Sequence, residues 1–344
     1  MAASAPSRRS DPEGAGRDIV VVGTSAGGAD ALLRLFKQLP RDLPAAFFVT
    51  YHLIPGARAV IADLLLQAGS LRPKLAEDGE PIRRGVIYVA RPDRHLIVKR
   101  GEVRVTRGPR ENRWRPAIDP LFRSAAVAYR SRVIGIVLTG MLDDGTAGLL
   151  AIKRCGGISV VQDPLDAAYP EMPQSALDNV DIDYRLPIAD MGQAIIRLVA
   201  EPPGPPPEVP REILEEARAS EEGTPIQFEP TNDGTELICP ECGGPLHEQQ
   251  HGPMKRYRCL VGHGWSPQTL LSSTSESVES TLWAAIRLFR QRANLVNAMA
   301  KREREAGRET LAIHYENVAT EALGHAGRLQ DMAMRSVDLT DRPS

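Results

Sequence analysis

Between residues 18 and 200, short apolar runs alternate with segments of helical spacing. The strand-like runs are residues 19–22, 46–50, 86–90, 133–139 and 158–162, and the helical patterns are 29–38, 60–67, 119–129 and 146–155. Short runs that are largely apolar are typical of strands buried on both faces, as in parallel sheets. The alternation therefore predicts an α/β domain with a mostly parallel sheet and helices on both faces. Residues 95–99 and 102–106 predict a β-hairpin inserted in it.

Four further parts are predicted outside this domain. Residues 1–17 are small and polar with no apolar stretch, which predicts a disordered leader rather than a signal peptide. Residues 201–235 open with EPPGPPPEVP and continue with an acidic run, which predicts a linker. Residues 236–271 form a cysteine-containing module, and residues 272–335 show two helical patterns separated by Gly307, which predict a helical hairpin.

Charge and hydropathy argue against two classes of partner. The formal net charge is −2, so no excess of positive charge favours nucleic acid or an anionic membrane surface. No apolar run approaches the roughly 18 to 20 residues that span a bilayer. We therefore expect no nucleic acid partner and no membrane insertion. The chain has only four cysteines, three of them clustered, which predicts a reducing, cytoplasmic location.

A glycine-rich turn follows the first predicted strand and leads into the first predicted helix. Its sequence, GTSAG, is a G-x-S-x-G pattern that places Ser25 where a nucleophile stands in serine hydrolases. The glycines permit a sharp turn, and N–H groups at the helix start can stabilise an oxyanion. A helix-capping serine or a nucleotide-phosphate cradle are the alternatives, although the full G-x-G-x-x-G fingerprint is absent.

Two more polar residues follow other predicted strands. His52 ends FFVTYH, and a histidine can act as a general base near neutral pH. LTGMLDDG comes after the strand at 133–139, and a carboxylate there could orient the imidazole, with capping of the next helix as the alternative. Because ligands of open α/β sheets bind along the carboxyl edge, the three groups together favour a catalytic site. Their order differs from the Ser, Asp, His order of α/β-hydrolases.

The motifs resemble the catalytic domain of CheB-type protein-glutamate methylesterases over residues 18–199. The resemblance rests on GTSAGG, YHL, VIYVARPDRHLIV, RPAIDPLFRSAA, LTGMLDDG and QDPLDAAYPEMPQSAL, in that order. It implies a serine hydrolase that demethylates glutamate γ-methyl esters on methylated chemoreceptors, releases methanol and also deamidates certain glutamines. It implies a role in chemotaxis or a chemotaxis-like pathway and no cofactor for catalysis.

The resemblance also implies the roles of individual residues. Ser25 is implied as the nucleophile and His52 as the general base and acid. Asp144 is implied as the orienting carboxylate, and the backbone N–H of Met141 as an oxyanion-hole donor. Asp143 falls on a neighbouring variable position and is expected to matter much less.

The sequence departs from the family pattern in two ways. Ala26 stands where the family usually has threonine, so substrate positioning or rate is expected to differ. Only the leader precedes the first strand, so we expect no phosphorylatable receiver domain. Control is then expected to come from the C-terminal region.

A second site is predicted in the module at 236–271. Sixteen residues separate a C-x₂-C pair from a C-x₃-H pair, which together give three thiolates and one imidazole. These four ligands are Cys239, Cys242, Cys259 and His263. Such a set predicts a closed, structural Zn²⁺ site in a zinc-ribbon-like module, with no open position for catalysis. His247 and His251 are alternative fourth ligands, and four unconnected surface residues are the remaining possibility.

The two C-terminal helical patterns carry apolar stripes flanked by charge. They predict helices that pack on each other or on a partner, for which other chemotaxis-pathway proteins are the candidates. A catalytically degenerate scaffold of a signalling complex is the alternative to the enzyme, and nucleotide binding at the glycine-rich turn is a third hypothesis.

Overall fold

The computed structural model describes residues 16–52, 60–69, 71–222 and 236–337. These residues form two compact units, one that ends at Leu270 and one that begins at Leu271. The leader therefore lies outside the described part except for residues 16 and 17, and so do residues 223–235 of the predicted linker. None of the described helices combines the length and the apolar character that a membrane span requires.

A parallel sheet of seven strands organises the first unit. In chain order the strands are β1 (Ile19–Thr24), β2 (Ala46–Tyr51), β3 (Arg72–Leu75), β4 (Val86–Val89), the hairpin strands β5 (His95–Lys99) and β6 (Glu102–Thr106), β7 (Val133–Val137), β8 (Ile158–Gln162) and β9 (Tyr184–Leu186). The spatial order of the sheet is β3-β4-β2-β1-β7-β8-β9, and each neighbouring pair is parallel. The strands β1 and β2 therefore lie side by side near its centre.

Helices cover both faces of this sheet. They are α1 (Gly28–Phe36), α2 (Val60–Leu66), α3 (Ile118–Tyr129), α4 (Thr146–Arg154), α5 (Glu171–Asn179) and α6 (Ile188–Ala200). Alternate residues of β1 point to opposite faces: Val20 packs in a core with α1, α2 and α6, and Val21 in a core with α3, α4 and α5. The predicted α/β class, with a mostly parallel sheet and helices on both faces, is confirmed.

The predicted linker contains a packed helix, α7 (Arg211–Glu222). Its Ile213 joins the core that includes α3. Glu216 and Ser220 are also buried, although both are polar. No proline lies between Pro210 and the end of this helix at Glu222, so none interrupts it.

Residues 236–270, which we call the metal-binding module, complete the first unit. They form an antiparallel sheet of β10 (Leu246–His251), β11 (Met254–Cys259) and β12 (Gly264–Trp265). The small core of the module consists of Cys239, Leu246, Cys259, Trp265 and Leu270. A core of this size is typical of folds that depend on a metal ion.

The second unit is a hairpin formed by two long helices. They are α8 (Pro267–Glu305), whose first turn belongs to the first unit, and α9 (Glu309–Val337). Gly307 has a φ of 74° between the helices, a conformation that suits glycine at a helix end. Ile286 packs with Ala326 and Ala333, and much of the interface is alanine. The predicted hairpin is confirmed, although Val278 and Leu311 of the predicted stripes are partly exposed.

Candidate active site

Ser25 lies directly after β1, where the chain turns into α1. Gly27 has a φ of 74° at this turn, a conformation that side-chain-bearing residues avoid. The backbone N–H of Ser25 donates to the carbonyl of Thr139, 3.1 Å away, which ties the turn to the segment after β7. Ala26 follows in the turn, and its carbonyl accepts a hydrogen bond from the Thr139 hydroxyl. The Ser25 side chain is therefore held at the carboxyl edge of the sheet.

His52 follows β2 and faces Ser25 across that edge. Its Nδ1 lies 3.0 Å from Ser25 Oγ, and its Nε2 lies 2.7 Å from Asp144 Oδ2. The imidazole is buried and stacks on the indole of Trp114, with 4.4 Å between ring centroids and 10° between ring planes. The three predicted side chains thus form one continuous hydrogen-bonded chain.

Asp144 accepts several hydrogen bonds besides that from His52. The N–H of Ile118, at the start of α3, donates to Oδ2 over 2.7 Å, and the amide of Asn112 donates to Oδ1 over 3.0 Å. Burial alone would raise the pKa of Asp144, but these donors and the hydrogen bond and charge of His52 hold it below its ordinary value. The carboxylate therefore stays ionised beside the imidazole.

The segment from Gly140 to Leu142 borders the serine. A methyl group placed on Gly140 would come within 2.9 Å of Ser25 Cβ, so the backbone passes directly beside the nucleophile candidate. Leu142 has a φ of 63°, and its N–H donates to Glu171 over 2.7 Å. No acceptor within the described chain occupies the N–H of Met141, which suits a donor for an oxyanion.

Three residues of this site were not anticipated from the sequence. They are Asn112, Trp114 and Asp119. Asp119 Oδ1 accepts hydrogen bonds from the N–H groups of Gly145 and Gly148. It therefore caps the N-terminus of α4, the helix that begins two residues after Asp144. Burial raises the pKa of Asp119, as do the charges of Asp144 and Glu111, and Arg256 opposes them. The RPAIDPLF motif contains Asp119, but nothing in its spacing shows which groups it would hold.

The geometry suits acyl transfer. A neutral His52 can accept the Ser25 proton at Nδ1 while Nε2–H donates to Asp144, which stabilises the imidazolium as it forms. The side chain of Cys155, the one cysteine outside the module, is buried, and burial raises the pKa of its thiol to about 11. It therefore has no thiolate to offer as a nucleophile.

The predicted metal ligands also come together. Ligand atoms of Cys239, Cys242, Cys259 and His263 all lie within 4.8 Å of one another. Cys242 Sγ is 3.6 Å from Cys259 Sγ, and His263 Nδ1 is 3.5 Å from Cys259 Sγ and 3.7 Å from Cys239 Sγ. A tetrahedral zinc ion with the usual bond lengths requires S–S and S–N separations of about 3.8 and 3.6 Å. The four residues therefore fit such an ion. The side chain of the alternative ligand His251 lies outside the described part, and His247 is not in the cluster.

A buried ion network joins the module to the α/β domain and to α7. Arg256 Nη1 lies 2.6 Å from Asp119, and Arg258 Nη2 lies 3.0 Å from Glu216 on α7. Glu111 pairs with both of these arginines and with Arg123 of α3. Burial would raise the pKa of Glu111, but the three guanidinium groups hold it well below its ordinary value. The Glu111 carboxylate therefore remains charged and paired.

Comparisons with known proteins cover the α/β domain. The sequence model of the family described as CheB methylesterase matches residues 20–195, which is 176 of the 344 residues. A Leptospira interrogans protein, provisionally assigned as a protein-glutamate methylesterase/protein-glutamine glutaminase, is 35% identical over 53% of this chain and 94% of its own length. Protein-glutamate methylesterase/protein-glutamine glutaminase 2 of Anaeromyxobacter dehalogenans is 36% identical over 53% of this chain and 53% of its own. The crystal structure of the Thermotoga maritima CheB methylesterase catalytic domain superposes with a TM-score of 0.51 and 35% identity, over 53% of this chain and 98% of that one.

Proposed function

The chain belongs to the CheB methylesterase family, and we propose that it hydrolyses glutamate γ-methyl esters on chemoreceptor-type signalling proteins. The observation that carries this proposal is the continuous hydrogen-bonded chain from Ser25 through His52 to Asp144. Each of the three side chains stands at the carboxyl end of a different parallel strand, the edge at which such sheets bind ligands. The family relationship supplies the ester as substrate class.

In the proposed reaction Ser25 Oγ attacks the ester carbonyl while its proton passes to His52 Nδ1. The tetrahedral oxyanion accepts a hydrogen bond from the N–H of Met141. Collapse of this intermediate breaks the bond to the methoxy group, which leaves as methanol with the proton from His52. Water then gives up a proton to His52 and attacks the acyl-enzyme. The second tetrahedral intermediate breaks its bond to Ser25 Oγ, which takes the proton from His52, and glutamate is released. A glutamine substrate follows the same steps with ammonia as the leaving group.

We propose that the cysteine cluster holds a structural Zn²⁺ outside this reaction. Three thiolates and one imidazole complete a tetrahedral ion, so no position remains for a substrate or for a reactive water. The ion would stabilise the metal-binding module, whose own core is small. This role agrees with a cytoplasmic location, where the thiols stay reduced.

The substrate partner in this proposal is a methylated chemoreceptor or a similar signalling protein, in chemotaxis or a chemotaxis-like pathway. The hairpin of α8 and α9 would contact other proteins of that pathway. Exposed apolar residues on both helices, including Leu288, Leu295 and Ile313, support an interaction surface.

The first test is methanol release from a methylated chemoreceptor cytoplasmic fragment, with Ser25→Ala as the comparison. The wild type should turn over, and Ser25→Ala should lose a factor of about 10³ to 10⁶ in kcat, because the nucleophile is gone. Equal thermal unfolding of the two proteins is the control for folding. Release at the same rate from both proteins would show that Ser25 is not the nucleophile.

A fluorophosphonate probe separates the enzyme from the scaffold alternative. An activated serine should react with the probe, and Ser25→Ala should not. Labelling without methanol release would support the serine hydrolase activity but exclude the tested receptor as its substrate. The absence of labelling in folded, metal-loaded protein would support the scaffold.

A further inference from the structure

The metal-binding module is hydrogen-bonded to the loop at 110–115, which lies between β6 and α3. The N–H of Asn112 donates to the carbonyl of Gly264 over 2.8 Å, and the N–H of Gly264 donates to the carbonyl of Arg110 over 3.2 Å. The side chain of Asn112 also accepts from the N–H of Ser266. Strand β12 therefore binds the backbone of this loop, and Ser266, the residue after β12, binds the Asn112 side chain.

The same loop supplies two of the groups that touch the triad. Asn112 donates to Asp144, and Trp114 stacks on His52. Asn112 and Arg113 have φ values of 49° and 73°, a region that residues other than glycine rarely occupy. Backbone in such a conformation persists only where surrounding contacts determine it. Reciprocal backbone hydrogen bonds between Glu111 and Trp114 close this turn, and the contacts with β12 hold the closed turn in place.

Arg256 of the module reaches the carboxylates beneath the triad. Its guanidinium lies 2.6 Å from Asp119 Oδ2 and 3.3 Å from Glu111, and its side chain is only 2% exposed. Asp119 Oδ2 also accepts from the Asn112 amide, the group that holds Asp144. Without Arg256, an uncompensated Asp119 would compete with Asp144 for that amide and would repel its carboxylate.

We infer that Arg256 is a positioning residue of the active site, through which the metal-binding module orients Asp144 and His52. It acts on Asp144 through Asp119 and Asn112. The module as a whole acts on His52 through the loop that carries Trp114. The inference rests on the proposed serine hydrolase chemistry, and it assigns the module a part in catalysis besides its own folding.

The test compares three variants of the full-length, metal-loaded protein. Arg256→Met removes the charge but keeps much of the apolar stem, and Arg256→Lys restores a charge. Lys255→Met is the matched control, since Lys255 is the preceding residue of the same strand and is exposed, where it pairs with Glu248. Metal content and thermal unfolding are recorded for each variant before its kinetics.

Arg256→Met should lower kcat by about 10- to 100-fold with KM unchanged, because a small displacement of catalytic groups has an effect of that size. Arg256→Lys should recover part of the loss, and Lys255→Met should match the wild type. The ring N–H resonance of His52 in the ¹H NMR spectrum should shift in Arg256→Met and not in Lys255→Met. Unchanged kcat and an unchanged His52 resonance in folded Arg256→Met would overturn the inference.

Two further measurements keep the outcome clear. If Arg256→Met does not fold or does not retain metal, Asn112→Ser decides, because it removes the amide donor to Asp144 and leaves the arginines in place. The same fall in kcat supports the inference, and an unchanged kcat overturns it. The rate of fluorophosphonate labelling of Ser25 is measured in parallel. Should no variant release methanol, a slower labelling of Arg256→Met would still support positioning while the proposed substrate is rejected.

Discussion

At the scale of single residues, Asp143 and Asp144 are buried neighbours whose pKa values shift in opposite directions. Asp144 is surrounded by donors, and its pKa is lowered. Asp143 is also buried, but its Oδ1 has no hydrogen-bond partner within the described chain. Burial, followed by the charges of Asp119 and Asp144, raises the pKa of Asp143 to about 6, although Ser266 and Arg256 act in the other direction. Between pH 3.8 and about 6, the folded protein therefore holds a proton on Asp143 that the unfolded chain releases.

This difference predicts how stability depends on pH. Because the pKa of Asp143 rises from 3.8 to about 6 on folding, the contribution of this residue is present below pH 3.8 and is lost as the pH rises to about 6. Asp143→Asn should remove that decline and increase the free energy of unfolding at pH 7 by up to about 3 kcal/mol, since each pKa unit is about 1.4 kcal/mol. Urea unfolding at a series of pH values measures it. The exposed residue Asp42 provides the control, Asp42→Asn, and an equal pH dependence in Asp143→Asn and the wild type would contradict the prediction.

The triad residues were predictable because each follows a strand, and the carboxyl ends of parallel strands meet at one edge. The sequence did not predict the roles of three further residues, Asn112, Asp119 and Arg256. Asn112 and Arg256 are 144 residues apart in the sequence, and the hydrogen bonds that connect them through Asp119 depend on how the module packs. Spacing along the chain contains no signal for such a contact.

At the scale of secondary structure, the central strands were predictable and the edges were not. Strands buried on both faces are largely apolar, as β1, β2 and β7 are. The strands β3 and β9 lie at the two edges of the sheet, have only four and three residues, and contain charged side chains. Helix α7 lacks a strong apolar signal because polar residues occupy two of its four buried positions.

Helices α3 and α4 approach each other closely at Gly148. A methyl group there would lie 2.6 Å from Phe122 Cβ and 3.1 Å from Asp119 Cα. Gly148→Ala should therefore separate the helices and lower the free energy of unfolding by about 1 to 3 kcal/mol, despite the higher helix propensity of alanine. Gly204→Ala is the matched control, because nothing lies within 4 Å of its added methyl group. Urea unfolding of both variants measures the difference, and equal stability would show that the helices can absorb the methyl group.

At the scale of the first unit, buried arginines of the metal-binding module neutralise buried carboxylates of the catalytic domain and of α7. The catalytic domain contributes two carboxylates, Glu111 and Asp119, and one arginine, Arg123. Helix α7 contributes the third carboxylate, Glu216. The module supplies the two other arginines, Arg256 and Arg258. Three carboxylates thus meet three guanidinium groups only when the module is in place. Removal of one partner from such a network leaves a buried charge without compensation, which costs more than removal of a pair.

A double-mutant cycle between Arg258 and Glu216 tests this dependence. Arg258→Met alone should lower the free energy of unfolding by about 3 to 5 kcal/mol, since it breaks buried pairs with Glu216 and Glu111. The double variant Arg258→Met/Glu216→Gln should be more stable than the sum of the single effects by about 1 to 3 kcal/mol, because no unpaired carboxylate remains at 216. Urea unfolding gives the four free energies, and equal metal content in all four proteins shows that the effect does not arise from loss of the ion. Additivity within about 0.5 kcal/mol would mean that solvent or other groups compensate these charges, and that the module packs on the catalytic domain without stabilising its buried carboxylates.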